Sequence, residues 1–151
     1  MRNINTSIFD FPRLREPEGN YVYVDKTAQL YELVKPGGDC IYYLPRPRRF
    51  GKSLMISTLK ALFQGRRELF EGLAIEKTDW DWDKEVYPVL HLDMSDVDNS
   101  SLKEFKESLN DIVRVACEEH EVPYRGSTSP SVNFKALLIA LQKKSANGRF
   151  V

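Results

Sequence analysis

Apolar residues recur at helical spacing in four segments of the chain. These segments cover residues 25–34, 54–63, 101–120 and 134–144. An apolar residue at every third or fourth position places one side of a helix against a core, so each segment is predicted to be a helix. The clearest period is in the third, at Leu102, Phe105, Leu109, Ile112, Val113 and Ala116. Asp25 is the predicted N-cap of the first.

Three shorter apolar runs lie between the predicted helices, at residues 21–24, 40–44 and 89–94. Each has the length and composition of a strand. Strands that alternate with helices predict an α/β fold, with a mainly parallel sheet flanked by helices. A further apolar run begins at Phe150, where the chain stops. The 151 residues fit one domain.

Composition excludes some classes of protein. The 22 Lys and Arg residues balance 22 Asp and Glu residues, which argues against a nucleic-acid binder held by general electrostatics. The chain has no run of about 18 apolar residues and no secretory signal. The sequence therefore predicts a cytoplasmic protein that does not interact with membranes.

The charges are unevenly distributed along the chain. Residues 40–67 contain seven Arg or Lys residues and no acidic residue. A cationic segment in a neutral protein indicates either a site for a compact anion, such as a polyphosphate, or a solvated basic face.

A phosphate-binding pattern lies inside this basic segment. The sequence Arg-Pro-Arg-Arg-Phe-Gly-Lys-Ser at 46–53 matches the last three positions of G-x-x-x-x-G-K-[ST], between a predicted strand and a predicted helix. In such a loop Gly51 lets the backbone approach phosphate. Lys52 binds the β- and γ-phosphates, and Ser53 offers a hydroxyl to Mg²⁺. N–H groups at the start of the helix complete the anion site.

The first position of the pattern departs from glycine. Arg46 stands there, and Pro47 removes one N–H donor. Arg48 and Arg49 offer compensating charge for the phosphates or, alternatively, an arginine finger for a neighbouring subunit. The competing interpretation is a basic turn stiffened by prolines.

The segment Tyr-Leu-Pro-Arg-Pro-Arg-Arg-Phe-Gly-Lys-Ser-Leu at 43–54 resembles the predicted AAA-type ATPase family. Members of this family form the N-termini of many bacterial proteins, commonly with a PD-(D/E)xK nuclease-like domain at the C-terminus. Residues 23–27, 57–63 and 88–93 also match, so the resemblance covers nearly the whole chain. It implies that an arginine at position 46 is the family's own form of the loop.

The resemblance implies a P-loop NTPase-like fold that binds Mg·ATP, and an ATPase acting on the γ-phosphate in the complete protein. Lys52 would be the catalytic residue and Ser53 the Mg²⁺ ligand. The expected nucleotide-binding residues are Arg46, Pro47, Arg48, Arg49, Phe50, Gly51, Lys52, Ser53 and Leu54.

The same resemblance places an acidic Walker B strand after Phe150 and Val151. Residues 1–151 are therefore expected to be the N-terminal part of an AAA-ATPase-like domain, truncated at its C-terminus, which binds nucleotide without turnover. A homo-oligomer, or the remainder of a longer chain with a nuclease-like domain, is the expected partner.

Several alternatives stay open. The basic segment 46–67 also fits a non-enzymatic module for nucleic acid or protein, and GTP stays an alternative to ATP. Asp93, at the carboxyl end of a predicted strand, is favoured as a nearby structural acid over a direct Mg²⁺ ligand. Asp25, Lys26 and Thr27 either cap a helix or, as their place in the family suggests, fold over the nucleotide.

Overall fold

The computed structural model describes residues 10–35, 41–145 and 148–151. Contacts divide the chain into two compact units, Met1–Val86 and Tyr87–Val151. Each unit is described by itself. Among the described residues, no helix has both the length and the apolar character that crossing a membrane requires.

The predicted α/β fold is wrong, because the described residues form helices and no β-strand. The predicted strand at 41–44 is irregular chain, as is the one at 89–94, and residue 40 lies outside the described residues. In the part of the chain that the structure describes, an isolated β-bridge is assigned at Tyr21 only. A strand exists only where a neighbour accepts and donates its backbone hydrogen bonds, and apolar runs do not supply that neighbour.

One backbone contact in the second unit has two hydrogen bonds. The N–H of Leu90 donates to the carbonyl oxygen of Val151 at 2.6 Å, and the N–H of Val151 donates to that of Pro88 at 2.9 Å. This contact joins two short segments without regular structure and is not a sheet.

The described residues of the first unit form three α-helices and three short 3₁₀ helices. The α-helices are α1 (Phe11–Leu14), α2 (Thr27–Val34) and α3 (Lys52–Phe63). The 3₁₀ helices are Pro17–Gly19, Arg67–Phe70 and Ala74–Lys77. The predicted helices at 25–34 and 54–63 are confirmed, with starts that differ by two residues.

Aromatic rings form the core of the first unit. Phe11 and Phe70 are fully buried, with ring centroids 4.9 Å apart. Trp82 lies 5.2 Å from Phe70, and Trp80 lies 5.6 Å from Phe63, centroid to centroid. Trp80 and Trp82 therefore both pack against the aromatic core of this unit.

Polar contacts join α1 to the middle of α3. The hydroxyl of Ser57 accepts a hydrogen bond from the N–H of Phe11 and donates one to Asp10, each at 2.9 Å. The Arg15 side chain donates from Nε to the carbonyl oxygen of Leu69 at 2.7 Å. Ser57 thus joins the helix that begins at the predicted phosphate loop to α1.

The second unit is built from α4 (Leu102–Glu119) and α5 (Pro130–Lys144), both of which were predicted. Their shared core consists of Val113, Ala116, Cys117, Leu137 and Leu141. The predicted apolar side of α4 is only partly correct, because Leu102 and Phe105 are exposed. Only the C-terminal half of this apolar side of α4 packs against α5.

A buried amide fixes the connection between these two helices. Nδ2 of Asn133, a residue only 1% exposed, lies 2.7–2.8 Å from three acceptors, and its two N–H groups are shared among them: Asn110 Oδ1, the hydroxyl of Tyr124 and the carbonyl oxygen of Ser127. Oδ1 of Asn133 accepts from the N–H of Ser127 at 2.9 Å. One side chain thereby satisfies polar groups of α4 and of the loop before α5.

Candidate functional site

The predicted site residues form a solvent-exposed loop that leads into α3. Residues 46–51 lie outside regular structure, and α3 begins at Lys52. Residues 46–53 are exposed and Leu54 is half-buried, so the nine predicted residues stay together as one accessible surface segment.

The backbone of the loop alternates in the sign of φ. φ is +66° at Arg49 and +74° at Gly51, and it is not positive at Arg48 or Phe50. Where residues alternate between the right-handed and left-handed helical regions, successive N–H groups turn toward one side of the chain and are able to bind an anion.

Glycine is required at position 51 of the loop but not at position 46. A Cβ added to Gly51 would meet no atom within 4 Å, so its visible requirement is the positive φ. Arg46, at the pattern's first position, does not have a positive φ. Its side chain is therefore compatible with the backbone of this loop.

The start of α3 faces the loop with unpaired donors. Gly51 is the N-cap, and its carbonyl oxygen accepts from the N–H of Met55 at 2.9 Å. No side chain caps this end. The N–H groups of the first turn have no acceptor within a helix, and the helix dipole adds partial positive charge there.

The Lys52 ammonium lies across the loop. Its Nζ donates to the carbonyl oxygen of Arg46 at 2.6 Å. An open hollow of about 550 Å³ lies beside this contact. Its lining consists of Tyr43, Leu44, Pro45, Arg46, Pro47 and Lys52.

The guanidinium groups of the loop lack anionic partners. No ion pair joins Arg46, Arg48 or Arg49 to a carboxylate within the part of the chain that the structure describes. By contrast, Arg66, at the other end of the basic segment, pairs with Glu68 at 3.2 Å. Within the described residues, the charges of these three loop arginines are therefore not offset by an ion pair.

The carboxylate of Asp25 holds two elements of the first unit together. Its Oδ1 accepts from the N–H and the hydroxyl of Thr27, at 2.8 and 2.7 Å, and its Oδ2 accepts from the N–H of Ala74 at 2.7 Å. Thr27 Oγ1 in turn accepts from the N–H of Ile75 at 3.1 Å. Asp25 therefore joins the start of α2 to the 3₁₀ helix Ala74–Lys77, while Lys26 is the N-cap residue.

Two opposing effects act on the pKa of Asp25. Partial burial alone would raise it, but hydrogen bonds from Thr27 and Ala74, with the nearby charge of Arg15, bring the pKa below its ordinary value. The carboxylate stays ionised, but the predicted N-cap is wrong by one residue, because Lys26 is the N-cap of α2 and Asp25 precedes it.

Asp93 forms a local turn. Its Oδ1 accepts from the N–H of Ser95 at 2.9 Å and from the Ser95 hydroxyl at 2.5 Å, which lowers the pKa of the carboxyl. Among the described residues, no group of three His, Cys, Asp or Glu side chains is arranged to hold a metal ion. These contacts agree with a structural acid.

Comparison with known proteins adds to this geometry. The model of the family described as "Predicted AAA-ATPase" matches residues 5–151. The chain belongs to this family. Membership in this family agrees with ATP binding in general, without identifying the residues that bind.

This AAA-ATPase family member also resembles a protein of Azotobacter chroococcum mcd 1 that is described as "Uncharacterized protein in vnfD 5'region". The two are 42% identical over 91 residues, which make up 60% of this chain and 17% of the relative. The aligned region is thus a small part of that protein. No solved structure matches the chain.

The sequence did not indicate the conformation of Arg49. A positive φ is usually signalled by Gly or Asn, and an arginine carries no such signal. The contact between Asp25 and Ala74 was also missed, because the two residues are 49 positions apart.

Proposed function

We propose that this AAA-ATPase family member binds ATP as its Mg²⁺ complex through residues 46–54. The observation that carries the proposal is the alternation of φ at Arg49 and Gly51, directly before the uncapped start of α3. Backbone N–H groups in this arrangement suit phosphate oxygens. The motif alone did not contain this information.

The charges of the loop support a polyphosphate ligand. Lys52 has three donors, and its contact with Arg46 leaves two of them for β- and γ-phosphate oxygens. Arg48 and Arg49 add two exposed cations without carboxylate partners among the described residues. A triphosphate neutralises charge that the protein leaves uncompensated.

Ser53 is the proposed protein ligand of Mg²⁺. Its hydroxyl lies in the first turn of α3 and is exposed. Mg²⁺ keeps several waters and takes phosphate oxygens as ligands, so one protein oxygen is enough in this kind of site. The proposal therefore needs no cluster of carboxylates within the loop.

For the whole protein we propose hydrolysis at the γ-phosphate, with Lys52 stabilising the charge that develops there. The loop 46–54 contains no carboxylate to orient an attacking water. A carboxylate that orients the attacking water must therefore come from outside the loop.

Titration calorimetry with ATP, ADP and GTP, each with and without Mg²⁺, tests the proposal. Lys52→Ala is expected to abolish the heat of binding. Lys77→Ala removes an exposed lysine outside the loop and is the matched control. ATP at 100 times its Kd should stabilise the wild type by about 2.7 kcal/mol in thermal unfolding. Unchanged ATP binding by Lys52→Ala would count against this assignment.

A second function is favoured by the exposed arginines of the loop. A module that binds nucleic acid through the basic segment 46–67 would use the same unpaired guanidinium groups on backbone phosphates. In that case DNA affinity falls steeply with salt, Arg67→Gln weakens it, and ATP has little effect on the melting temperature. ATP binding that depends on Mg²⁺ and is unaffected by Arg67→Gln favours the first function.

A further inference from the structure

Arg49 adopts a backbone conformation that disfavours its own residue type. Among the described residues, positive φ at non-glycine positions occurs at Asn20, Arg49 and Glu121. The left-handed region crowds a Cβ, and Gly or Asn is more stable there than Arg. Strain of this kind is kept where the surrounding structure or a function requires it.

No contact within the described protein explains the strain. Arg49 is exposed and makes no ion pair with a described carboxylate. A glycine at this position would give the same loop with less strain, as Gly51 does two residues later. What only the arginine supplies is an exposed guanidinium within the loop.

The chemistry of the nucleotide indicates what this guanidinium would bind. Backbone N–H groups of such a loop hold the inner phosphates, which ATP and ADP share. ATP differs from ADP by one terminal phosphate with its charge and oxygens. The planar fork of an arginine binds such a group with two parallel hydrogen bonds.

We propose that Arg49 is the residue that distinguishes ATP from ADP, through contact with the terminal phosphate. This inference rests on the proposed nucleotide-binding function. It also accounts for an arginine at a backbone position that glycine would occupy with less strain.

The test compares ATP and ADP affinities, with Mg²⁺ present, in Arg49→Asn. Asparagine tolerates a positive φ and removes the charge. ATP affinity should fall about tenfold, as expected for loss of a charge-assisted hydrogen bond to phosphate, while ADP affinity changes less than about twofold. Arg49→Lys, which keeps the charge without the fork, should lose less ATP affinity. Arg67→Gln, a charge removal outside the loop, should change neither.

The outcomes separate this inference from the proposed function. Equal losses for ATP and ADP in Arg49→Asn, or no loss for either, would overturn the role of Arg49 and leave nucleotide binding intact. A lower melting temperature without nucleotide, with an unchanged ATP-to-ADP ratio, would make Arg49 a structural residue. A wild type that binds neither nucleotide would overturn both.

Discussion

The Nζ atom of Lys52 lies 2.6 Å from the carbonyl oxygen of Arg46, to which it donates a hydrogen bond. The bond connects the first residue of α3 to the first position of the phosphate-binding pattern. The ammonium that would bind phosphate is therefore already directed toward its own loop. Both groups are solvent-exposed, so the bond contributes little to folding stability.

Lys52→Gln should separate the role of the ammonium in folding from its role in binding. Without nucleotide, the free energy of unfolding should change by no more than about 1 kcal/mol, because an exposed hydrogen bond is replaced by water. With Mg·ATP, the stabilisation seen in the wild type should disappear. Urea unfolding with and without nucleotide measures both quantities. A loss of several kcal/mol without nucleotide would instead make the lysine a structural residue.

Ser53→Ala tests the magnesium ligand. Removing the hydroxyl should reduce ATP affinity in the presence of Mg²⁺ by about tenfold, the effect of one lost hydrogen-bonding or ligand group of about 1.4 kcal/mol. ATP affinity in EDTA should stay at the wild-type value, since no metal is then present. Calorimetry under the two conditions gives the comparison. Equal losses with and without Mg²⁺ would mean that Ser53 contacts phosphate directly.

Asp25→Ala should destabilise the first unit by about 1–2 kcal/mol, because the N–H groups of Thr27 and Ala74 lose their acceptor. Chemical denaturation measures this change. Glu18→Ala removes another exposed carboxylate and should have little effect. Equal effects of the two substitutions would show that the contacts of Asp25 contribute nothing measurable.

The pH dependence of stability follows from the same contacts. The folded-state pKa of Asp25 is lowered, so the carboxylate stabilises the fold fully above the unfolded value of about 3.9. This contribution to stability is lost as pH falls below about 3.9 toward the lower folded-state pKa of Asp25. Asp25→Ala should therefore lose less stability than the wild type over that range, measured by thermal unfolding at a series of pH values. Parallel pH profiles would contradict the contribution of Asp25.

Local patterns in the sequence predicted where the helices lie. They did not predict whether the apolar runs between the helices form strands. Helical hydrogen bonds are formed within a few residues, so the periodicity over α3 and α4 was enough to predict both. A strand depends on a distant partner. Ile41 and Tyr43 are strongly exposed, although their sequence is that of a buried strand.

The candidate site was predictable to the extent that its residues are consecutive. The motif placed Gly51 and Lys52 at a loop followed by a helix, and the structure has both. The positive φ of Arg49 was not predictable, because it arises from the path of the whole loop. The link from Asp25 to Ala74 depends on tertiary packing and has no local signal.

Asn133→Ala should destabilise the second unit by about 2–3 kcal/mol. Its amide satisfies groups of Asn110, Tyr124 and Ser127 in a buried position, and alanine would leave them without partners. Asn99→Ala, at an exposed site, is the control. Urea unfolding monitored by circular dichroism measures the difference. Similar stabilities of the two variants would mean that water replaces the amide in this network.

Gly51 and Gly72 provide a matched pair for testing the loop. Their φ values are +74° and +75°, and a Cβ at either position would meet no atom within 4 Å. Substitution by alanine at each should therefore cost a similar free energy of unfolding, about 1–2 kcal/mol, from backbone strain alone. Urea unfolding checks this equality.

Only Gly51→Ala should also reduce nucleotide affinity. A shift of φ at Gly51 toward negative values would break the alternation that directs the N–H groups of the loop to one side, whereas Gly72 lies outside the loop. Calorimetry compares the Mg·ATP affinities of the two variants, in which the backbone strain introduced by alanine is expected to be equal. If both bind ATP as the wild type does, the positive φ at Gly51 serves folding and not phosphate binding. Equal losses in both would trace the effect to general destabilisation.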